Sequence, residues 1–95
     1  MTINEIEEIE IGDMVYYARF LPSCGVSEIL ELHVNNYDGK VITGLDKKTK
    51  QMFLISKKYF EERLFFHRDE TLKALKKLEK DNNYKEKNFT VQLED

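Results

Sequence analysis

Three side chains in this sequence are of types that carry out covalent or metal chemistry near neutral pH: Cys24, His33 and His67. A thiol beside an imidazole makes a nucleophile with its base. Cys24, however, sits in Pro22-Ser23-Cys24-Gly25, which reads as an ordinary turn with no nucleophile signature around it. As zinc ligands the three lie nine and thirty-four residues apart, unlike the paired spacings of structural sites. Glu61 and Glu62 are a carboxylate pair only in sequence, because neighbours point apart on a strand or a helix. No glycine-rich phosphate loop occurs; Gly12, Gly25 and Gly39 stand at turns, and Gly44 reads as a bulge or a close backbone approach. The expectation is a protein with no catalytic residue, no metal and no cofactor.

Charge carries more pattern than reactivity does. Residues 1–39 hold eight acids and one base, a local sum of minus 7, whereas residues 40–80 hold twelve bases and six acids, a sum of plus 6. Two candidate binding surfaces follow. Glu5, Glu7, Glu8, Glu10 and Asp13 form an acidic segment able to imitate phosphates and enter a basic groove on a nucleic-acid enzyme. Lys47, Lys48, Lys50, Lys57 and Lys58 are interleaved with Phe53, Tyr59 and Phe60, the combination that neutralises phosphates and stacks bases. With a net charge of minus 3 the chain as a whole lacks the basic footprint of a nucleic-acid binder. The bland alternative for both surfaces is a solvated exterior.

These groups need a scaffold. Ninety-five residues, 41% hydrophobic and 35% charged, are enough for one globular domain with a modest core. No apolar run is long enough to span a bilayer, the one cysteine has no intrachain partner, and the first residues lack the basic and apolar regions of a secretory signal, so a cytoplasmic location is expected.

Between Asp13 and Phe66 short runs rich in β-branched and aromatic residues, separated by turn signals, predict five strands, Met14–Phe20, Val26–Val34, Lys40–Leu45, Gln51–Ile55 and Arg63–Phe66. Pro22 to Gly25 and Asp38-Gly39 supply turns. Ser56 is placed to cap one helical turn over Lys57–Tyr59. From Arg68 the period becomes 3.6, with Leu72, Leu75 and Leu78 on the apolar face and Lys73, Lys76, Lys77 and Lys80 on the wet one. Thr2-Ile3-Asn4-Glu5 has capping-box spacing with Ile3, Ile6 and Ile9 on a helical repeat, although Ile9 and Ile11 equally suit a strand. Phe89 to Leu93 alternates as a further edge strand would. The expected architecture is mainly β with α: a five-stranded SH3-like barrel and a C-terminal amphipathic helix over 13–80, an acidic segment at 1–12 and a polar tail at 81–95.

The stretches Ile11-Gly12-Asp13-Met14-Val15-Tyr16-Tyr17-Ala18, Glu31-Leu32-His33-Val34, Lys57-Lys58-Tyr59-Phe60 and Leu64-Phe65-Phe66-His67-Arg68-Asp69-Glu70-Thr71-Leu72 resemble a group of small phage and prophage proteins of Gram-positive bacteria. Their pattern opens with Gly-Asp-x-Val-Tyr and closes with a strand that runs into a C-terminal helix. His67 stands where that pattern has a capping threonine, and Thr71 where it has alanine. The resemblance implies an SH3-like barrel with an appended helix and a phage or mobile-element origin, and brings no activity or site residue with it. The expected function is that of a non-enzymatic phage accessory protein which binds and inhibits a host defence nuclease in the bacterial cytoplasm, as anti-CRISPR proteins do. The alternatives are a nucleic-acid-binding barrel and a phage structural or assembly protein.

Overall fold

Alternating side chains and well-placed turns fold this chain into an antiparallel meander, seen in a computed structural model that describes residues 1–83. Strand β1 (Met14–Leu21) ends where Pro22 fixes φ. A 3₁₀ turn over Pro22–Cys24 closes on Gly25, whose φ of 70° lies in the left-handed region. Strand β2 (Val26–Tyr37) outlasts its expected end by three residues, because a register shift between Val34 and Asn36 lets its far end keep pairing with β3 (Val41–Asp46). Asp38 makes that turn: its Oδ1 accepts from the amides of Lys40 (2.8 Å) and Val41 (2.9 Å). Lys40 is therefore a turn residue and not the first of the strand.

Strand β4 (Met52–Ser56) leads into a 3₁₀ turn, Lys57–Tyr59, that runs on as helix α2 (Phe60–Arg63). This helical passage is longer than the single turn expected. It takes Arg63 out of the last strand, leaving β5 as Leu64–Phe65 alone. Ser56 has extended backbone at the cap position, but its side chain makes no capping bond. The sheet order is β4-β3-β2-β1-β5, with every ladder antiparallel. The result is a small α+β domain: one five-stranded sheet and a C-terminal helix, α3 (Arg68–Asp81). No helix among the described residues is long and apolar enough to cross a membrane. The alternating stretch Phe89 to Leu93 lies outside the described residues.

One face of the sheet buries Val15, Leu30, Leu32, Val34, Ile42 and Ile55, closed over by Phe60 and Leu64. The N-terminal segment joins this core. A capping box between Thr2 and Glu5 starts a short helix, α1 (Ile3–Glu7), and Met1, Ile6 and Ile9 are buried, while Ile11 is 71% exposed. The segment at 1–12 is thus half core and half acidic exterior. The Met1 ammonium donates to the carbonyls of Phe60 (3.1 Å), Glu61 (3.3 Å) and Leu64 (2.8 Å), tying the start of the chain to α2 and β5. Burial lowers the pKa of this amine from its ordinary value.

The opposite face is covered in part by α3. Ala18 and Phe20 of β1 pack against Leu75, with Ile29 and Leu78 beside them. The helix is turned relative to the expected leucine face: Thr71 is fully buried and Leu75 nearly so, whereas Leu72 and Leu78 are half-buried. Thr71 can face the sheet because its hydroxyl donates to the His67 carbonyl at 2.9 Å, so no polar group is orphaned by burial. At the far end of the helix, Ser27 donates to Glu79 at 2.7 Å and ties α3 to β2.

Candidate interaction surface

The fold scatters the reactive side chains. Cys24 is exposed beyond the end of the β1–β2 hairpin, which closes at Leu21 and Val26. His33 lies seven residues along β2 from Val26, roughly 23 Å at about 3.3 Å per residue. His67 is the N-cap of α3, and its side chain makes no capping bond. Among the described residues no three His, Cys, Asp or Glu side chains converge as metal ligands.

Two of the five acidic candidates are occupied by the chain itself. Glu5 Oε1 accepts from the Thr2 amide at 2.9 Å, and that bond holds its carboxyl below the usual glutamate range. Asp13 Oδ2 accepts from the Glu10 amide at 2.9 Å, while the Asp13 carbonyl accepts from Val34 and fastens the segment to β2. Glu7, Glu8 and Glu10 face solvent. Glu7 shares a groove of about 320 Å³ with Ile6, Tyr37, Lys57, Lys58 and Glu61. The folded chain therefore brings part of the acidic set and part of the basic set to one place, where the sequence had kept them apart.

The five lysines form two clusters, one at each end of β4. Lys47, Lys48 and Lys50 occupy the β3–β4 turn, organised by the buried carboxylate of Asp46, whose Oδ1 accepts from the amides of Lys48 (2.7 Å) and Thr49 (3.1 Å). Asp46 is a residue that sequence reasoning passed over, and its only signal was its place just before a lysine-rich loop. Lys57 and Lys58 follow β4 in the 3₁₀ turn. Lys47 lies 3.8 Å from Glu31; among the described residues Lys48, Lys50 and Lys57 have no carboxylate within 4.0 Å.

The aromatics meant to stack bases are already engaged. Phe60 is fully buried with Tyr37 edge-on at 5.8 Å, Phe53 lies under the Arg19 guanidinium at 5.4 Å, and Tyr59 carries both Lys58 (5.0 Å) and Arg63 (5.3 Å). A stacking platform needs a free ring face.

Between the lysine clusters runs a feature the sequence reading missed. Strand β4 is an edge of the sheet, and its Leu54 and Met52 are 74% and 52% exposed. The Asp46 amide donates to the Gln51 carbonyl at 2.8 Å and the Lys57 amide to the Lys40 carbonyl at 2.8 Å, so the β3-facing positions of this ladder are 51, 53, 55 and 57. The amide and carbonyl of Met52 and of Leu54 consequently point away from the sheet. The unbroken apolar run Met-Phe-Leu-Ile hid this, since such a run suits a strand buried on both faces. Compared with known proteins, the chain matches no family model, no curated protein and no solved structure.

Proposed function

We propose that this chain is a non-enzymatic accessory module on an SH3-like barrel whose work is to occupy a surface of another protein. The barrel reading is supported by the strand order β4-β3-β2-β1-β5 together with the helical passage between β4 and β5. The observation that carries the binding reading is the β4 edge, where two large apolar side chains stand in water beside outward-facing backbone groups. Small domains protect such an edge with a charge, a proline or a covering loop; here the lysines stand only at the two ends of β4 and leave Met52 and Leu54 uncovered between them, which marks a pairing site. The phage resemblance gives this reading its specific form, an inhibitor that blocks a host nuclease. Nucleic acid as the direct ligand is disfavoured by the occupied aromatic rings and the net negative charge.

The test is capture of interacting proteins by the immobilised full chain from bacterial lysate, in parallel with gel shifts on single- and double-stranded DNA and RNA. The reading expects a protein captured in fixed stoichiometry and no shift of nucleic acid below micromolar concentration. Tight nucleic-acid binding with no protein captured would overturn it.

A further inference from the structure

We propose that the β4 edge takes an extended segment of its partner as an added strand, and that this segment is apolar at alternate positions with acidic residues at both ends. The inference rests on the protein-binding reading above and names the chemistry of the partner. Hydrogen bonding comes first. Met52 and Leu54 turn their amides and carbonyls outward, so an incoming strand finds donors and acceptors at the spacing of a ladder. Side chains set the second requirement. Met52 and Leu54 project from one face beside Leu45 and Thr43, their partners in β3. Apolar residues at alternate positions of the added strand would lie next to them and remove their surface from water.

Charge selects among the possible strands. From Lys47 to Phe60 the chain carries five lysines and no acid. Lys48 and Lys50 stand at one end of β4 and Lys57 at the other, none with a carboxylate partner among the described residues. A second copy of this chain is disfavoured by the same arrangement: antiparallel pairing of two β4 strands sets the 48–50 end of each against the 57–58 end of the other, lysine against lysine at both ends. Strands with acidic ends gain what self-pairing loses.

The experiment uses the full chain and a labelled peptide, Asp-Glu-Ile-Thr-Val-Thr-Ile-Glu-Asp, followed by fluorescence anisotropy. The proposal expects saturable binding that weakens as salt rises from 50 to 500 mM, with Lys48→Glu/Lys57→Glu weakening it at least about tenfold. Leu54→Pro should abolish binding while circular dichroism stays unchanged, because the lost amide faces solvent and not β3. If Leu54→Pro unfolds the chain, Leu54→Glu is the substitute and is also expected to abolish binding. Equal binding of a scrambled peptide without alternation, or of one with lysine at its ends, overturns the proposal. So does a concentration-dependent dimer lost in Leu54→Pro, or binding that appears only when residues 84–95 are deleted, which would make the chain's own tail the occupant. A partner captured from lysate whose affinity ignores Leu54→Pro would sink this inference and leave the protein-binding reading intact.

Discussion

Replacing Gly44 with alanine tests the packing of the principal core, because the outcome depends on two opposed terms. Gly44 sits in β3 opposite Val34 and Phe53, beside the register shift in β2. Its φ is not in the left-handed region, so alanine brings no backbone strain. A Cβ there would meet Leu32 Cβ at 3.0 Å, Cδ1 at 3.1 Å and Cγ at 3.4 Å, and Leu32 is fully buried with no room to retreat. Overpacking of this kind costs about 1–3 kcal/mol. Losing glycine's freedom in the unfolded chain returns about 0.4–1 kcal/mol. The steric term wins, and Gly44→Ala should be net destabilising by roughly 1–2 kcal/mol. At about 4–8 °C per kcal/mol for a domain of this size, Tm should fall by roughly 5–15 °C in a thermal melt followed by circular dichroism. The double variant Gly44→Ala/Leu32→Ala should lose less than the sum of the singles, since truncation removes two of the three colliding atoms. A neutral or stabilised Gly44→Ala, or strict additivity in the cycle, would refute the close approach.

Leu75→Ala should cost about 2–5 kcal/mol in chemical denaturation, because Leu75 is the deepest leucine of α3 against Phe20 and Ala18, and the half-buried Leu72→Ala should cost clearly less; equal losses would contradict the observed helix rotation. Thr71→Val keeps the shape and strands no donor, so it should be nearly neutral by the same assay, whereas Thr71→Asn, which is larger, should be strongly destabilising. Acetylating the Met1 amine removes its charge and leaves one N–H where three serve three carbonyls, and should lower stability by about 1–3 kcal/mol, read as a drop in Tm relative to the free amine. Glu5 and Asp38 have carboxyls held below their ordinary values chiefly by backbone amides, of Thr2 and of Val41 respectively, so the support they give is present above the unfolded carboxylate values and is lost as pH falls through the lowered ones. Side-chain carboxyl titration by NMR should place both below free glutamate and aspartate, and ordinary midpoints would count against these bonds.

Much of this scaffold was legible because it depends on local rules. Runs of β-branched and aromatic residues located the strands, Pro22 and Asp38-Gly39 marked the turns, and the capping box at Thr2 and Glu5 is formed as spaced. What escaped was set by tertiary packing. The face of α3 turned toward Thr71 because a hydroxyl bonded to the preceding turn packs as an apolar group, which a count of leucines cannot show. The N-terminal segment entered the core through Met1, Ile6 and Ile9 although its acids suggested a solvated arm. The exposure of Met52 and Leu54 was not legible, because whether a strand lies at the edge of a sheet follows from strand order and not from the strand's own residues. The acidic and basic candidates read as rival surfaces, but the fold sets Glu7 beside Lys57 and Lys58.

Backbone amide hydrogen exchange of the full chain, alone and with a captured partner, tests the role of the β4 edge most directly. The outward amides of Met52 and Leu54 are expected to exchange quickly in the free chain and to slow by at least about tenfold in the complex, while those of Phe53 and Ile55, already bonded to β3, change little. Protection confined to residues 5–13, with Met52 and Leu54 unaffected, would contradict the account and return the interface to the acidic segment.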